Sequence, residues 1–142
     1  MKIMLEKAND RLAEAKMPSR AFRSDAGLDL YSRENWYLGP GEQHAFDTGV
    51  HMVIDEGFCG LIVSKSGLNV KRGISSTGLI DAGYTGSIVV NLQNFSPNGY
   101  IIKAGDKISQ IVILPIATPE LELVDSLEET ERGANGFGSS GK

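Results

Sequence analysis

The sequence has very little cysteine and histidine, the residues that form disulfides and many protein metal sites. Cys59 is the single cysteine among 142 residues, so an internal disulfide is excluded. It stands in the strand-like run Gly57–Leu61, which predicts a small buried thiol. The two histidines, His44 and His51, do not have a metal-ligand spacing such as H-x-x-x-H, so neither is expected to bind a metal.

Long apolar runs and an excess of basic charge are also missing. Residues 1–10 include four charged residues and no stretch that could form a signal peptide or a membrane span, which predicts a soluble, cytoplasmic protein without a membrane partner. With 14 basic and 18 acidic residues, the formal net charge of −4 disfavours a general nucleic-acid binder. It does not disfavour a phosphorylated small molecule, which a few placed cations, backbone N–H groups and a metal can hold.

Helical patterns are scarce, whereas short β-type runs separated by Gly, Pro, Asn and Asp are frequent. The runs predict strands or extended pieces at Lys2–Ala8, Leu28–Ser32, Gln43–Asp47, His51–Ile54, Phe58–Ser64, Asn69–Ile74, Gly78–Asp81, Ser87–Asn94, Tyr100–Lys103, Lys107–Leu114 and Ala117–Val124. Many short strands at intervals of about 8–12 residues, without helices between them, indicate an all-β sandwich, jelly roll or barrel. The length and the 41% hydrophobic content suit one domain.

The end of the sequence is polar and rich in glycine. Residues 126–142 cannot join a core alone, so they are predicted to form a mobile arm on a single domain that spans residues 1–142. Arg132 offers a planar fork for phosphate oxygens. Phe137 is the one aromatic residue of this arm. An exposed aromatic ring gains no free energy of burial, so Phe137 is expected to stack on another group. A simply disordered end is the alternative.

Three further segments combine polar side chains with glycine. Lys65-Ser66-Gly67 follows an apolar strand, and its cation, hydroxyl and glycine could cradle a phosphate, with a plain β-turn as the alternative. Gly78–Gly86 predicts a hairpin that presents backbone groups to a flat ligand, with Asp81 holding a water and Tyr84 packing against a sugar. Its alternative is that Asp81 only caps its own turn. Gly105–Gln110 places Gln110 on a strand from which it could reach a ligand.

Together these segments resemble the five motifs of the homotrimeric dUTPase family, over about Met17 to Gly141. The segments that carry the resemblance are, in motif order, Ala26–Leu30, Lys65–Leu68, Gly78–Gly86, Gly105–Gln110, and Arg132–Gly133 with Gly136–Gly141. One such motif would be weak evidence, whereas five in sequence and at the family spacing are specific. The resemblance implies a jelly-roll-like (β-clip) fold and a homotrimer whose active sites are shared between subunits.

The resemblance also implies hydrolysis of dUTP to dUMP and pyrophosphate with Mg²⁺, which limits uracil in DNA and supplies dUMP. Asp81 would be the catalytic residue that orients and deprotonates the water attacking the α-phosphorus. Asp29 would support the hydrated magnesium through water, while the metal is held mainly by the substrate phosphates. Tyr84 would pack under the deoxyribose and clash with a 2′-hydroxyl.

The remaining substrate contacts divide among phosphates, base and arm. The resemblance implies phosphate contacts for Lys65, Ser66, Gly67, Gln110 and Arg132. It implies contacts near the uracil for Ser75, Gly78, Leu79, Ile80 and Val89. From the arm it assigns Phe137, over the base, together with Gly138, Ser139 and Ser140.

The motifs depart from the usual family pattern at three positions. Lys65 stands where the family usually has Arg, which keeps the charge but loses the fork. Ser64 stands where the family has Pro. Ser75 stands where many members have Asn, and this second change affects how the edge of the base is recognised. Two alternatives remain: a dCTP deaminase or bifunctional deaminase/dUTPase, and a dUTP-binding regulatory protein of the phage type. A deaminase needs an acid/base residue near the base, typically Glu, and residues 75–90 contain none.

Overall fold

The computed structural model describes residues 1–134 and confirms an all-β fold, with one short helix. The strands are β1 (Lys2–Leu5), β2 (Gly27–Tyr31), β3 (Trp36–Leu38), β4 (Gln43–Val53), β5 (Phe58–Ser64), β6 (Ile74–Ser75), β7 (Thr77–Ile80), β8 (Ser87–Asn94), β9 (Tyr100–Ile102) and β10 (Lys107–Pro115), and the helix is α1 (Ser66–Arg72). Across this described part of the chain, none of the helical structure has the length and apolar character needed to span a membrane.

The strands form two four-stranded sheets and one two-stranded ribbon. The first sheet has the order β1-β4-β8-β6, the second has the order β2-β10-β5-β7, and β3 pairs with β9. Every pairing is antiparallel. Both sheets contribute to one hydrophobic cluster, so a single core joins them. This arrangement is the jelly-roll-like β-clip architecture that the resemblance implied.

The alternation of side chains along β8 shows how the sequence selects this core. Ile88, Val90 and Leu92 are buried, whereas Val89, between the first two, is 49% exposed. Successive side chains of a strand point to opposite faces, so one face of β8 packs on the core and the other is left for solvent or a ligand. Burial of such side chains from water provides the main stabilisation of the fold.

Residues 69–74 were predicted as a β piece, and this prediction was wrong. Most of the segment belongs to α1, which ends at Gly73. Gly73 has φ +65°, a left-handed conformation suited to glycine, and its N–H donates to the carbonyls of Asn69 and Leu68. A helix of seven residues spans about two turns, too few for a helical period to stand out in the sequence.

Two other strand predictions also need correction. The pieces predicted at Gln43–Asp47 and His51–Ile54 form the single strand β4, whose pairing with β8 shifts register between Asp47 and His51. Gly49, at φ +63°, lies within this irregularity, where a positive φ favours glycine. No strand forms over residues 117–124 within the described part of this single chain.

Replacement of a core valine tests the assignment of the β8 faces. Val90→Ala should lower the free energy of unfolding by about 2 kcal/mol, because it removes buried methyl groups and leaves a cavity. Val70→Ala is the matched control, since Val70 is 81% exposed on α1, and it should change the stability by no more than about 0.5 kcal/mol. Urea denaturation at one fixed protein concentration measures both; equal losses would contradict the assignment.

Candidate functional site

The carboxylate of Asp29 brings three of the predicted motif segments together. Its Oδ1 accepts a hydrogen bond from Lys65 Nζ at 2.5 Å, and its Oδ2 lies 2.7 Å from Lys107 Nζ. Asp29 is only 6% exposed, and a charge this buried is costly unless it is paired. The two ion pairs therefore fix β2, the residue before α1 and the start of β10 relative to one another.

The charges in this cluster support each other. Burial, the largest single influence, raises the pKa of Asp29, but the hydrogen bonds from Lys107 and Lys65 outweigh it and hold that pKa below its ordinary value. The hydrogen bond to Asp29 in turn raises the pKa of Lys107. Asp25, in the loop before β2, also acts on Lys107 and balances the remaining positive charge. An anionic ligand would therefore be attracted by the two placed ammonium groups and not by an overall positive charge.

An open cleft of about 330 Å³ lies beside this cluster. It is lined by Asp29, Lys65, Lys107 and Gln110, together with residues of the loop before β2. Lys107 and Gln110 are three residues apart, which would place them on opposite faces of a regular strand. The register shift between Lys107 and Ser109 explains how both reach the same cleft. The sequence analysis missed Lys107, although it lies inside the fourth motif segment.

Lys65, Ser66 and Gly67 form the start of α1 and not a β-turn. Lys65 is the extended N-cap residue, and its carbonyl accepts from Asn69 N–H at 2.9 Å. The first N–H groups of a helix have no acceptor within it, so they are available to an anion. A Cβ added at Gly67 would meet no described atom within 4 Å, so the glycine leaves open space at this point.

Two of the departures from the family pattern contact each other. The hydroxyl oxygens of Ser64 and Ser75 lie 3.0 Å apart, and Ser64 Oγ also accepts from Ser76 N–H at 2.9 Å. Ser76 Oγ continues the chain to Ser109 Oγ at 2.7 Å. The Ser75 hydroxyl is therefore engaged within the chain and is held at the end of β5, next to Lys65.

The segment that carries Asp81 is not a hairpin as predicted. It leaves β7 of the second sheet and enters β8 of the first, so residues 81–86 form a connection between sheets. Tyr84 N–H donates to the Asp81 carbonyl at 3.3 Å, and Gly83 has φ +81°. The Asp81 carboxylate is exposed and forms no hydrogen bond or ion pair with residues 1–134, so its own turn is closed without it.

The strands on either side of this connection expose apolar side chains. Leu79 on β7 is 61% exposed and Val89 on β8 is 49% exposed, whereas Ile80 is partly buried. β7 is an edge strand within residues 1–134, so the backbone groups on its outer side have no ladder partner among those residues. Exposed apolar side chains beside free backbone donors and acceptors suit a flat, polar-edged ligand. Tyr84, 45% exposed, donates its hydroxyl to Ser87 O at 3.0 Å.

The predicted site residues thus fall into separate groups. Asp29, Lys65 and Gln110 line one cleft, and Asp81 and Tyr84 lie on the connection between sheets; no hydrogen bond or ion pair joins the two groups within the described residues. Arg132 lies in the exposed tail after β10, where it has an interaction of its own. The candidate residues Phe137, Gly138, Ser139 and Ser140 lie outside the described residues.

Metal ligands are sparse in the described structure. Residues 1–134 contain no group of three or more His, Cys, Asp or Glu side chains that could hold an ion. The oxygens of Asp29 already accept from two lysines, although a carboxylate has further lone pairs for water. This donor set does not fit a metal caged by protein. It does fit Mg²⁺ that keeps its waters and is bound mainly by ligand phosphates.

Comparison with known proteins decides the family. The model of the dUTPase family matches residues 13–141, which is most of the chain. The chain belongs to the dUTPase family. Among curated relatives, the deoxyuridine 5'-triphosphate nucleotidohydrolase of Mycobacterium sp. (strain JLS) is 42% identical over 137 residues, covering 90% of this chain and 89% of that protein. The Mus musculus enzyme of the same name is 39% identical over 134 residues, covering 93% and 83%.

Solved dUTPase structures share the fold over nearly the whole length. The Staphylococcus bacteriophage 80alpha dUTPase with dUpNHpp superposes with a TM-score of 0.87 at 35% identity, covering 99% of each chain. A mutant dUTPase from phage phi11 of S. aureus, described with a coordinated structural Mg(II) ion, gives 0.78 at 32% identity and covers 91% of this chain and 100% of its own.

Removal of the Asp29 charge tests the electrostatic account of the cluster. The pKa of Asp29 is lowered in the folded state, so its contribution to stability is present above the ordinary aspartate value of about 3.9 and is lost as pH falls below it. Asp29→Asn should lower the free energy of unfolding at pH 7 by about 1–3 kcal/mol and flatten the decline between pH 5 and pH 2. Denaturation across this range measures both effects.

The control for this variant is Asp10→Asn at an exposed position near the N-terminus. It should leave both the stability at pH 7 and the shape of the acid limb close to wild type. An Asp29→Asn protein with the same acid limb as wild type would contradict the cluster.

Proposed function

We propose that this protein is a dUTP diphosphatase, which hydrolyses dUTP to dUMP and pyrophosphate and so limits uracil in DNA while supplying dUMP. The observation that carries the mechanism is the exposed, unbonded Asp81 carboxylate on the connection between the two sheets. The names of the curated relatives support the substrate, and the complex of the phage 80alpha enzyme with dUpNHpp supports binding of a deoxyuridine triphosphate.

Asp81 acts on the attacking water. Its carboxylate accepts a hydrogen bond from that water, aims the oxygen at the α-phosphorus and takes the proton as the new P–O bond forms. The bond from the α-phosphorus to the bridging oxygen breaks, and pyrophosphate leaves. A carboxylate is a weak base in bulk water, but one held against a single water in a closed site orients it and accepts the proton as charge develops.

The cleft beside Asp29 receives the phosphates. Lys65 and Lys107 provide positive charge, the N–H groups of Ser66 and Gly67 provide donors, and Gln110 provides an amide. Phosphoryl transfer needs such positioning and charge neutralisation more than covalent help. Mg²⁺ bound through the phosphates would add to the neutralisation, and Asp29 would hold its waters through lone pairs that the lysines leave free.

The two strands that flank Asp81 receive the nucleoside. The free backbone edge of Gly78–Ile80 and the neighbouring Val89 read the uracil, Ser75 lies near this edge, and Tyr84 packs under the deoxyribose. Recognition by backbone pairs explains selectivity, because cytosine exchanges a donor for an acceptor and leaves buried groups unpaired, at a cost of about 1–3 kcal/mol each.

A complete site requires more than one copy of the chain, and we infer a homotrimer. The separation of the phosphate cleft from the Asp81 connection supports this inference. A second support is the segment after β10, where Leu121, Leu123 and Leu127 are 96%, 101% and 88% exposed. Several large apolar side chains on one short segment are rarely left exposed to water, so another copy of the chain would cover them.

Within this trimer, residues 126–142 form an arm that closes a neighbour's site. Arg132 reaches the γ-phosphate with its planar guanidinium, and Phe137 stacks on the base. The hydroxyl and N–H groups of Gly138, Ser139 and Ser140 add phosphate contacts. The whole chain, residues 1–142, is then one functional domain.

The nearest alternative is deamination of dCTP. Residues 75–90, which would surround the base, contain no Glu that could serve as the acid/base residue, so hydrolysis is favoured. Pyrophosphate release from dUTP, dCTP and dTTP, with and without Mg²⁺, together with ammonia release from dCTP, separates the two activities. Ammonia from dCTP without pyrophosphate from dUTP would overturn the proposal.

Replacement of the proposed base should separate binding from turnover. Asp81→Asn should lower kcat for dUTP by about 10²–10⁴, the usual contribution of a positioned general base, while the affinity for dUpNHpp changes little. The control is Asp55→Asn, at an exposed turn, which should keep the wild-type rate. Steady-state kinetics and calorimetric titration give the two quantities. A near wild-type rate for Asp81→Asn would remove the residue from this role.

Deletion of residues 132–142 tests the arm. The truncated protein should fold and keep the solution mass of a trimer but lose most of its activity, because the remaining site is open to water. Light scattering, circular dichroism and pyrophosphate release measure these properties. Deletion of Lys142 alone, beyond the fifth motif, is the control and should keep full activity. Full activity after the longer deletion would refute the closing role.

A further inference from the structure

The ring of His51 lies between two hydrogen-bond acceptors. Nδ1 is 2.8 Å from the carbonyl oxygen of Thr85, and Nε2 is 2.9 Å from Oε1 of Glu6. A carbonyl oxygen and a carboxylate oxygen can only accept. A neutral imidazole has one N–H, whereas the imidazolium has two. Both contacts are therefore satisfied together only when His51 is charged.

The two contacts connect the segment that carries Asp81 to Glu6 and, through it, to the buried guanidinium of Arg33. Thr85 follows Tyr84 in the connection that carries Asp81. Glu6, on the other side of the ring, accepts through Oε2 from Arg33 NH1 at 2.6 Å. Arg33 is 2% exposed and also donates to the carbonyls of Ala13 and Lys7, at 2.7 and 3.0 Å. His51 thus ties the connection to a fixed buried network.

The surrounding charges favour the imidazolium. The hydrogen bond to Thr85, followed by that to Glu6, raises the pKa of His51, and Asp47 on the same strand adds to the effect. The hydrogen bond from His51, followed by that from Arg33, lowers the pKa of Glu6. From β1, Lys2 lines the same surface cleft as His51 and is the one Lys or Arg among its described lining residues. Arg33 approaches from the other side, through its ion pair with Glu6. From β8, the facing residue is the uncharged Ser87.

We propose that His51 is a positioning residue: as an imidazolium it fixes the Asp81–Gly86 connection against Glu6, and deprotonation releases one of its two bonds. Its effect on turnover rests on the proposed function, because Asp81 and Tyr84 act from this connection. The two hydrogen bonds of His51 form a bridge from Thr85 to Glu6. Both are made in the pH range between the lowered pKa of Glu6 and the raised pKa of His51, where both side chains are charged. As pH rises through the latter, the connection loses its tether.

Nuclear magnetic resonance on wild-type protein tests the bridge without any assay of turnover. The chain has two histidines, so the His51 ring signals are assigned by comparison with His51→Gln. The chemical shifts of the ring should report a pKa above the ordinary histidine value of about 6.5. The chemical shift of the Gly86 amide, whose nitrogen shares a peptide group with the Thr85 carbonyl, should change over the same pH range. Glu6→Gln should move this titration to lower pH. Glu34→Gln, which removes the carboxylate beside His44, should leave it unchanged.

Kinetics test the positioning role. Because glutamine has one donor group at every pH, kcat/KM for dUTP should be roughly tenfold lower in His51→Gln than in wild type at pH 5.5, the scale of one charge-assisted hydrogen bond. The ratio of the wild-type to the His51→Gln value should approach one by pH 9, and effects of pH that both proteins share cancel in this ratio. His44→Gln, whose ring stacks on Trp36 and contacts Glu34, is the control and should show a ratio independent of pH.

Two results would overturn the proposal: a His51 titration at or below the ordinary value, or a wild-type to His51→Gln ratio that does not change with pH. If wild-type protein hydrolyses no dUTP, the proposed function fails by itself. The bridge is then decided by the Gly86 amide, which supports it by titrating with His51 and refutes it by remaining constant.

Discussion

The ion pairs of the buried Asp29 carboxylate are the interactions on which the cleft at one side of the candidate site depends. Burial alone would disfavour its charge, and two ammonium groups from distant parts of the sequence reverse that balance. Because Lys65 precedes α1 and Lys107 begins β10, the same electrostatic pairing that makes the buried charge tolerable also sets the shape of the cleft. The same ion pairs therefore stabilise the fold and hold both lysines in place where they line the cleft.

The other side of the site depends on the packing of two sheets. The connection that carries Asp81 begins on an edge strand of one sheet and ends in the interior of the other, so no hairpin ladder fixes it. Its position follows from the common core and from contacts made by its own backbone. The bond from His51 to Thr85 is one of these contacts, and through Glu6 it reaches the buried Arg33. A buried cation thus supports an exposed carboxylate through an intervening histidine.

The sequence predicted most strands, because they are local patterns of alternation, turns and glycine, and the order of its motif segments indicated the family. It could not predict the single strand β4 or the shared cleft of Lys107 and Gln110, because each depends on a register shift that pairing with another strand produces. It missed α1, whose seven residues are too few to show a period. It also missed the role of His51, because Glu6 and Thr85 are distant in sequence and meet only through the sheets.

The three departures from the family motifs lie close together: Ser64 contacts Ser75 and is followed by Lys65. The hydroxyl groups of Ser64 and Ser75 form a hydrogen bond with each other. This bond restrains Ser64, where a proline would restrain the backbone through its rigid ring. The next residue, Lys65, directs a single ammonium group at one oxygen of Asp29 and leaves the other oxygen to Lys107. An arginine presents a planar fork that can bind both oxygens of one carboxylate, which a lysine cannot do. The positive charge at the cleft is therefore divided between two ammonium groups, neither of which has the planar fork of an arginine.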